Sequence, residues 1–187
     1  VLKVDPNHLG ALNNLGVLYK KLNQIQKAIN CYEKVIQIDP NNIDTHYNLA
    51  NALKELGENQ KAISSYEKAI EIEPNHLKAL YNLGNALKEL GENQKAKDYY
   101  EKVIEIDPNY ADAHNNLGII SYNLGNYPKA MSSYEKAIEL NPNHADAHNN
   151  LGTTFEYLGE KEKAKDYYKK AIELNPNHVN AYYNFGI

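Results

Sequence analysis

The chain has 187 residues, a formal net charge of −4 and twenty basic residues, every one of them Lys. Without Arg it lacks the planar fork that grips phosphates and guanine edges, and the mild acidity also argues against a nucleic-acid binder, which carries a basic stripe. Its one cysteine, Cys31, excludes an internal disulfide, and the neighbours Asn30 and Tyr32 offer no charge to stabilise a thiolate. No apolar run approaches the ~20 residues of a membrane span, and no signal-like segment opens the chain. An intracellular, cytoplasmic protein is therefore expected. The opening VLKVDPNH has no Met and reads as part of something longer.

From the N-terminus onward, one unit recurs. Pro6, Pro40, Pro74, Pro108, Pro142 and Pro176 stand thirty-four residues apart, with Pro128 outside the series. The same spacing carries Leu15-Gly16, Leu49-Ala50, Leu83-Gly84, Leu117-Gly118, Leu151-Gly152 and Phe185-Gly186, then Ala28 to Ala164 and Tyr32 to Tyr168. Counting each repeat from Leu9, Ile43, Leu77, Ala111, Ala145 and Val179, a first helix is predicted over about positions 1–14. Its buried stripe is expected at positions 3, 7, 10 and 14, in repeat three Ala79, Leu83, Ala86 and Leu90. The small residue at position 8 and the Ala at position 20 let two helices approach closely. Gly57, Gly91, Gly125 and Gly159 fall just past the first helix, where a left-handed residue ends it, and Asn23 takes that place in repeat one. Pro128 sits in the first turn of a second helix, where a missing N–H costs nothing. Tyr at position 24 is read as core packing.

This period and residue set resemble the tetratricopeptide repeat family over the whole chain. The resemblance implies an all-α, right-handed superhelical solenoid of antiparallel helix pairs. Five repeats are complete (9–42, 43–76, 77–110, 111–144 and 145–178), with the tail of another at 1–8 and the start of a sixth at 179–187, forming one continuous domain. A single hairpin cannot bury its apolar face alone, and stacking near-identical hairpins does it for them.

In such a solenoid the first helices line a concave wall, on which positions 2, 5, 6, 9, 12 and 13 are left facing out. Position 6 is Asn in all six repeats: Asn14, Asn48, Asn82, Asn116, Asn150 and Asn184. An Asn amide presents the groups of a peptide bond in reverse, so the row, expected to be exposed, fits an extended protein or peptide ligand held by its main chain. First helices ~8–10 Å apart would meet about every third residue of a chain advancing ~3.3 Å per residue. Asn51 and Asn85 flank the row, Tyr47 and Tyr81 are expected to cover ligand side chains, and Lys54 and Lys88 to favour acidic ligands. Asn rungs of this kind are what the resemblance implies for the repeat arms of O-linked N-acetylglucosamine transferases and for peroxisomal import receptors; Asp44, Asp112 and Asp146 resemble a second row in the former. The same Asn row equally fits a polar default that bonds a neighbouring helix or water.

Other readings carry less. A carboxylate clamp, as in chaperone-binding members of the family, needs cations at positions 5 and 6 that are absent here. His144 and His148 with Asp146 have zinc-like spacing but no third ligand, so no metal or other cofactor is expected. Lys161, Lys163, Lys165, Lys169 and Lys170 alternate with acids as on a solvated face. No nucleophile stands beside a base, so the chain is not read as an enzyme, although such repeats precede glycosyltransferase or sulfotransferase domains in the family. The rival class is structural, a spacer that self-associates head to tail through uncapped ends at Val1, Leu2 and Val4 and at Tyr182, Phe185 and Ile187.

Overall fold

A computed structural model describes Val1 and residues 5–186; the end residues Leu2, Val4 and Ile187 therefore lie outside the described residues. Among those described, the chain forms eleven helices joined by turns. First helices of the repeats are α1 (Leu9–Lys21), α3 (Ile43–Glu55), α5 (Leu77–Glu89), α7 (Ala111–Asn123), α9 (Ala145–Tyr157) and α11 (Val179–Phe185). Second helices are α2 (Ile25–Ile38), α4 (Asn59–Ile72), α6 (Asn93–Ile106), α8 (Tyr127–Leu140) and α10 (Lys161–Leu174). The fold is a solenoid of antiparallel helix pairs. Its packing divides into two compact units, Val1–Tyr99 and Tyr100–Ile187. Within the first, α1 packs on α2, α2 on α3, α3 on α4 and α4 on α5; within the second, the same alternation runs from α7 to α11.

Each hairpin closes over a tyrosine. Tyr32, Tyr66, Tyr134 and Tyr168 are at most 2% exposed. An ideal Cβ on Gly16 would lie 2.5 Å from Tyr32 Cε1, and one on Gly118 would lie 2.4 Å from Tyr134 Cε1. The glycine thus makes room for the ring, and Ala28, Ala62, Ala130 and Ala164 add small, buried surfaces on the second helices. Position 14 departs from the expected stripe. Leu22, Leu56, Leu90, Leu124 and Leu158 are 43–67% exposed, because each is the C-cap residue and lies past the helical register that faces the core. The turn that follows has the left-handed backbone expected, with φ of 56° at Asn23 and 74–83° at Gly57, Gly91, Gly125 and Gly159. Pro128 stands at the start of α8.

All seven histidines have structural places. His8, His76, His144 and His178 cap α1, α5, α9 and α11, each Nδ1 accepting the N–H three residues on at 3.1–3.2 Å. Each ring thereby satisfies one of the N–H groups left open at the start of its helix. His46, His114 and His148, where a large aromatic or Leu would otherwise sit, hold the carbonyls of Pro40, Pro108 and Pro142 through Nε2 at 2.8, 3.1 and 3.1 Å. They lock the proline turn to the next first helix. The HADAH pair is thereby divided between a cap and a turn lock.

Two predictions follow from this packing. Overpacking a core by a methyl costs about 1–3 kcal/mol, against about 1 kcal/mol gained in helix propensity. Gly118→Ala is expected to lower the urea midpoint; an unchanged midpoint would mean that the Tyr134 ring yields freely. The second concerns His148, whose Nδ1 is buried without a partner among the described residues. Burial pushes its imidazolium below the ordinary value, the Pro142 carbonyl opposes that shift, and Lys170 and His144 reinforce it. A folded value below the unfolded one gives stability that is present above about pH 6.5 and lost as pH falls through the lowered folded value. Thermal midpoints at about pH 7.5 and about pH 5.5 should fall less on acidification in His148→Leu than in the parent.

Candidate protein-interaction face

The outward side of each first helix is built by a network that begins in the core. In the first unit the buried Tyr66 donates its hydroxyl to Asn51 Oδ1 at 2.6 Å. Asn82, on the next first helix, donates Nδ2 to the same oxygen at 3.2 Å and to the Tyr47 hydroxyl at 3.2 Å. In the second unit Tyr168 donates instead to Glu156 Oε2 at 2.6 Å, with Thr153 Oγ1 3.5 Å away, and Asn184 donates to Thr153 at 3.3 Å and to Asn149 Oδ1 at 3.1 Å. Where position 9 is apolar, as at Val17 and Ile119, the Asn of the next repeat has one donor bond among the described residues instead of two. Asn48 reaches Asn13 Oδ1 at 3.4 Å, and Asn150 reaches Asn115 Oδ1 at 3.0 Å.

Within each unit these asparagines therefore tie successive first helices together, and the exposure of the row differs from expectation. Asn14 is exposed, Asn48, Asn82, Asn150 and Asn184 are half-buried, and Asn116 is buried. Asn48, Asn82, Asn150 and Asn184 use Nδ2 on the preceding first helix, while among the described residues no donor reaches Oδ1 of Asn48, Asn82 or Asn184. Tyr47 is half-buried, with its ring against Tyr66 and His76 at centroid separations of 6.2 and 5.3 Å, so it braces the hairpin. Tyr81, Asn51 and Asn85 are half-buried beside the row.

The charges on this face are largely tied up. Lys54 pairs with Glu89 at 2.8 Å and Lys20 with Glu55 at 3.4 Å, forming rungs between successive first helices. Burial lowers the Lys88 ammonium below its ordinary value, against the pull of Glu89. Asp44, Asp112 and Asp146 are exposed at the opposite edge of the face. His144 Nε2 lies 3.0 Å from Asp112 Oδ1, and His178 Nε2 lies 3.0 Å from Asp146 Oδ1. Both contacts miss hydrogen-bond alignment, yet the His144 contact holds the Asp112 carboxyl below its usual range. Asp112 and Asp146 thus stand against the capping histidines of the next repeat, and Asp44 makes no such contact among the described residues.

The link from Tyr at position 24 to position 9 was missed in the sequence. A signal was available: an amide or hydroxyl at position 9, as in Asn51 and Thr153, recurs one repeat before an Asn that needs a second acceptor. Among the described residues no group of His, Cys, Asp and Glu could hold a metal ion, and no helix is long and apolar enough to cross a membrane.

A face of this kind on stacked helix pairs defines a repeat scaffold for protein–protein interaction. Profiles described as TPR repeat match residues 18–57, and profiles described as tetratricopeptide repeat match 41–109, 111–144 and 145–178. The chain belongs to the tetratricopeptide repeat family. Among solved structures it is similar to MamA, at 31% identity over 88% of this chain and 96% of that one, with a TM-score of 0.78. It is also similar to YrrB, described as a TPR protein with an unusual peptide-binding site, at 25% identity over 100% and 96% of the two chains, with a TM-score of 0.77. PilF of Pseudomonas aeruginosa shares the fold, at 22% identity over 94% and 80% with a TM-score of 0.82. Comparison with curated protein sequences returned no match.

The network makes a stability prediction opposite to that for an exposed row. Asn82→Ala removes two internal bonds and should cost about 1–2 kcal/mol in urea unfolding. Asn14→Ala should stay within about 0.5 kcal/mol of the parent. Equal effects would mean that the Asn82 bonds do not persist in solution.

Proposed function

We propose that the first-helix face of this scaffold binds an extended segment of a partner protein, with the position-6 asparagines supplying acceptors to its main chain. One observation carries this reading. The amides of Asn48, Asn82 and Asn184 are oriented by their donor bonds, and their Oδ1 atoms remain without a donor among the described residues. Fixed acceptor oxygens suit the N–H groups of an extended chain, and fixing them beforehand reduces the ordering cost of binding. Asn14 and Asn150 occupy the same register, as does the more deeply set Asn116. A ligand held through its main chain tolerates varied side chains, so neighbouring positions are left to set preference. YrrB, the neighbour whose description mentions peptide binding, supports the reading by analogy of fold.

The test is a peptide array probed with the parent, with Asn48→Ala/Asn82→Ala, and with Tyr66→Phe. The last variant weakens the same network yet keeps both Oδ1 atoms. The double variant, held at a temperature where circular dichroism shows it folded, is expected to lose about tenfold or more in affinity across unrelated sequences. Tyr66→Phe should bind within a few-fold of the parent. If both variants bind like the parent, the Asn row serves the solenoid alone.

A further inference from the structure

The core tyrosine spends its hydroxyl inside the protein where position 9 or position 12 of the first helix offers an acceptor. Tyr66 spends it on Asn51 at 2.6 Å, and Tyr168 on Glu156 at 2.6 Å, with Thr153 at 3.5 Å. In repeat one position 9 is Val17, which offers nothing, and the hydroxyl of Tyr32 meets no partner among the described residues. Tyr32 is 1% exposed. The hydroxyl itself is not sealed in the core, so it is available to an acceptor arriving from outside. Its ring lies under Gly16 in the same register as Tyr168 under Gly152, so its hydroxyl is directed to the same face.

That face is hollow here. Tyr32 lines a cavity of about 340 Å³ together with Val17, Lys20, Lys21, Asn48 and Glu55. The size is that of a small ligand pocket, ample for a side chain. Two lysines against one glutamate leave the lining with one excess positive charge. Glu55 is engaged by Lys20, whereas Lys21 has no ion pair among the described residues. Burial, with a smaller contribution from Cys31, pushes the Tyr32 hydroxyl up to about 12, so it keeps its proton and acts as a donor at neutral pH. Asn48 gives one N–H to Asn13 at 3.4 Å and keeps the second. The groups turned to the cavity are thus mainly donors and a cation, beside the apolar wall of Val17.

We propose that this cavity is a subsite for a carboxylate side chain, Glu or Asp, of the segment bound on the first-helix face. The Tyr32 hydroxyl and the Lys21 ammonium donate to the carboxylate oxygens, and Val17 lines the stem. The proposal rests on the peptide-binding reading above and names what one position of the ligand must carry. It also assigns the acid preference to Lys21 and Tyr32, in place of the ion-paired Lys54.

The experiment pairs peptides that differ by Glu against Gln at each position, bound to the parent, Tyr32→Phe and Tyr66→Phe. Parent and Tyr66→Phe should prefer Glu at one position by about tenfold, and Tyr32→Phe should lose that preference. Tyr32→Phe removes a hydroxyl with no internal bond, so its urea midpoint should match the parent, whereas that of Tyr66→Phe should fall. Peptides that bind without preferring Glu, or a preference that survives Tyr32→Phe, overturn the subsite and leave the groove reading standing. A parallel arm titrates N-acetylglutamate N-methylamide into protein carrying 13Cζ-labelled tyrosine. A saturable Tyr32 shift, absent with the glutamine analogue, supports the subsite even if no peptide binds, and no shift overturns it.

Discussion

The close approach of two helices over a tyrosine ring is the contact on which the rest depends. A hairpin of thirteen- and fourteen-residue helices has too little apolar surface to stand alone, so its members must pack tightly and then pack again on their neighbours. Gly16, Gly118 and Gly152 at position 8 let the ring of position 24 fill the space between the helices, within the radius where a methyl would clash, while repeat two accommodates Ala50 over Tyr66. The small residues at position 20 do the same from the other side. Once that spacing is set, the proline turn and its histidine or asparagine cap fix where the next first helix begins.

The tyrosine also carries the core to the surface. Its ring is buried, but its hydroxyl emerges on the outward face, where Asn51 receives that of Tyr66 together with Asn82 of the following repeat, and Glu156 receives that of Tyr168. Hairpin packing and the outward face are therefore coupled through a few hydrogen bonds. The coupling commits the N–H groups of Asn48, Asn82, Asn150 and Asn184 to the stack and leaves the Oδ1 atoms of Asn48, Asn82 and Asn184 without a donor among the described residues.

Much of this was legible in the sequence because a repeat states its own register. The thirty-four-residue period located the helices, the left-handed turn residues and the buried tyrosines, since each depends on local spacing and on backbone rules indifferent to context. Position 14 escaped it. Leu90 lies on the apolar stripe of an ideal helix, but the helix has already ended there, and helix ends are set by capping geometry and not by periodicity. The histidines at position 4 likewise looked like departures from an aromatic pattern until the proline carbonyls beside them were placed.

The sequence by itself determined the class of fold, the repeat length and the buried tyrosines and alanines between the helices, because burial patterns and turn chemistry are written along the chain. The tertiary structure alone decided what the outward residues do. Whether Asn82 waits for a ligand or bonds Tyr47 and Asn51, and whether Lys54 meets a partner or Glu89, depends on side chains thirty-one to thirty-five residues away that are brought within about 3 Å by stacking. Hydrogen bonds and ion pairs act only at that range, and no local pattern reports which neighbour fills it.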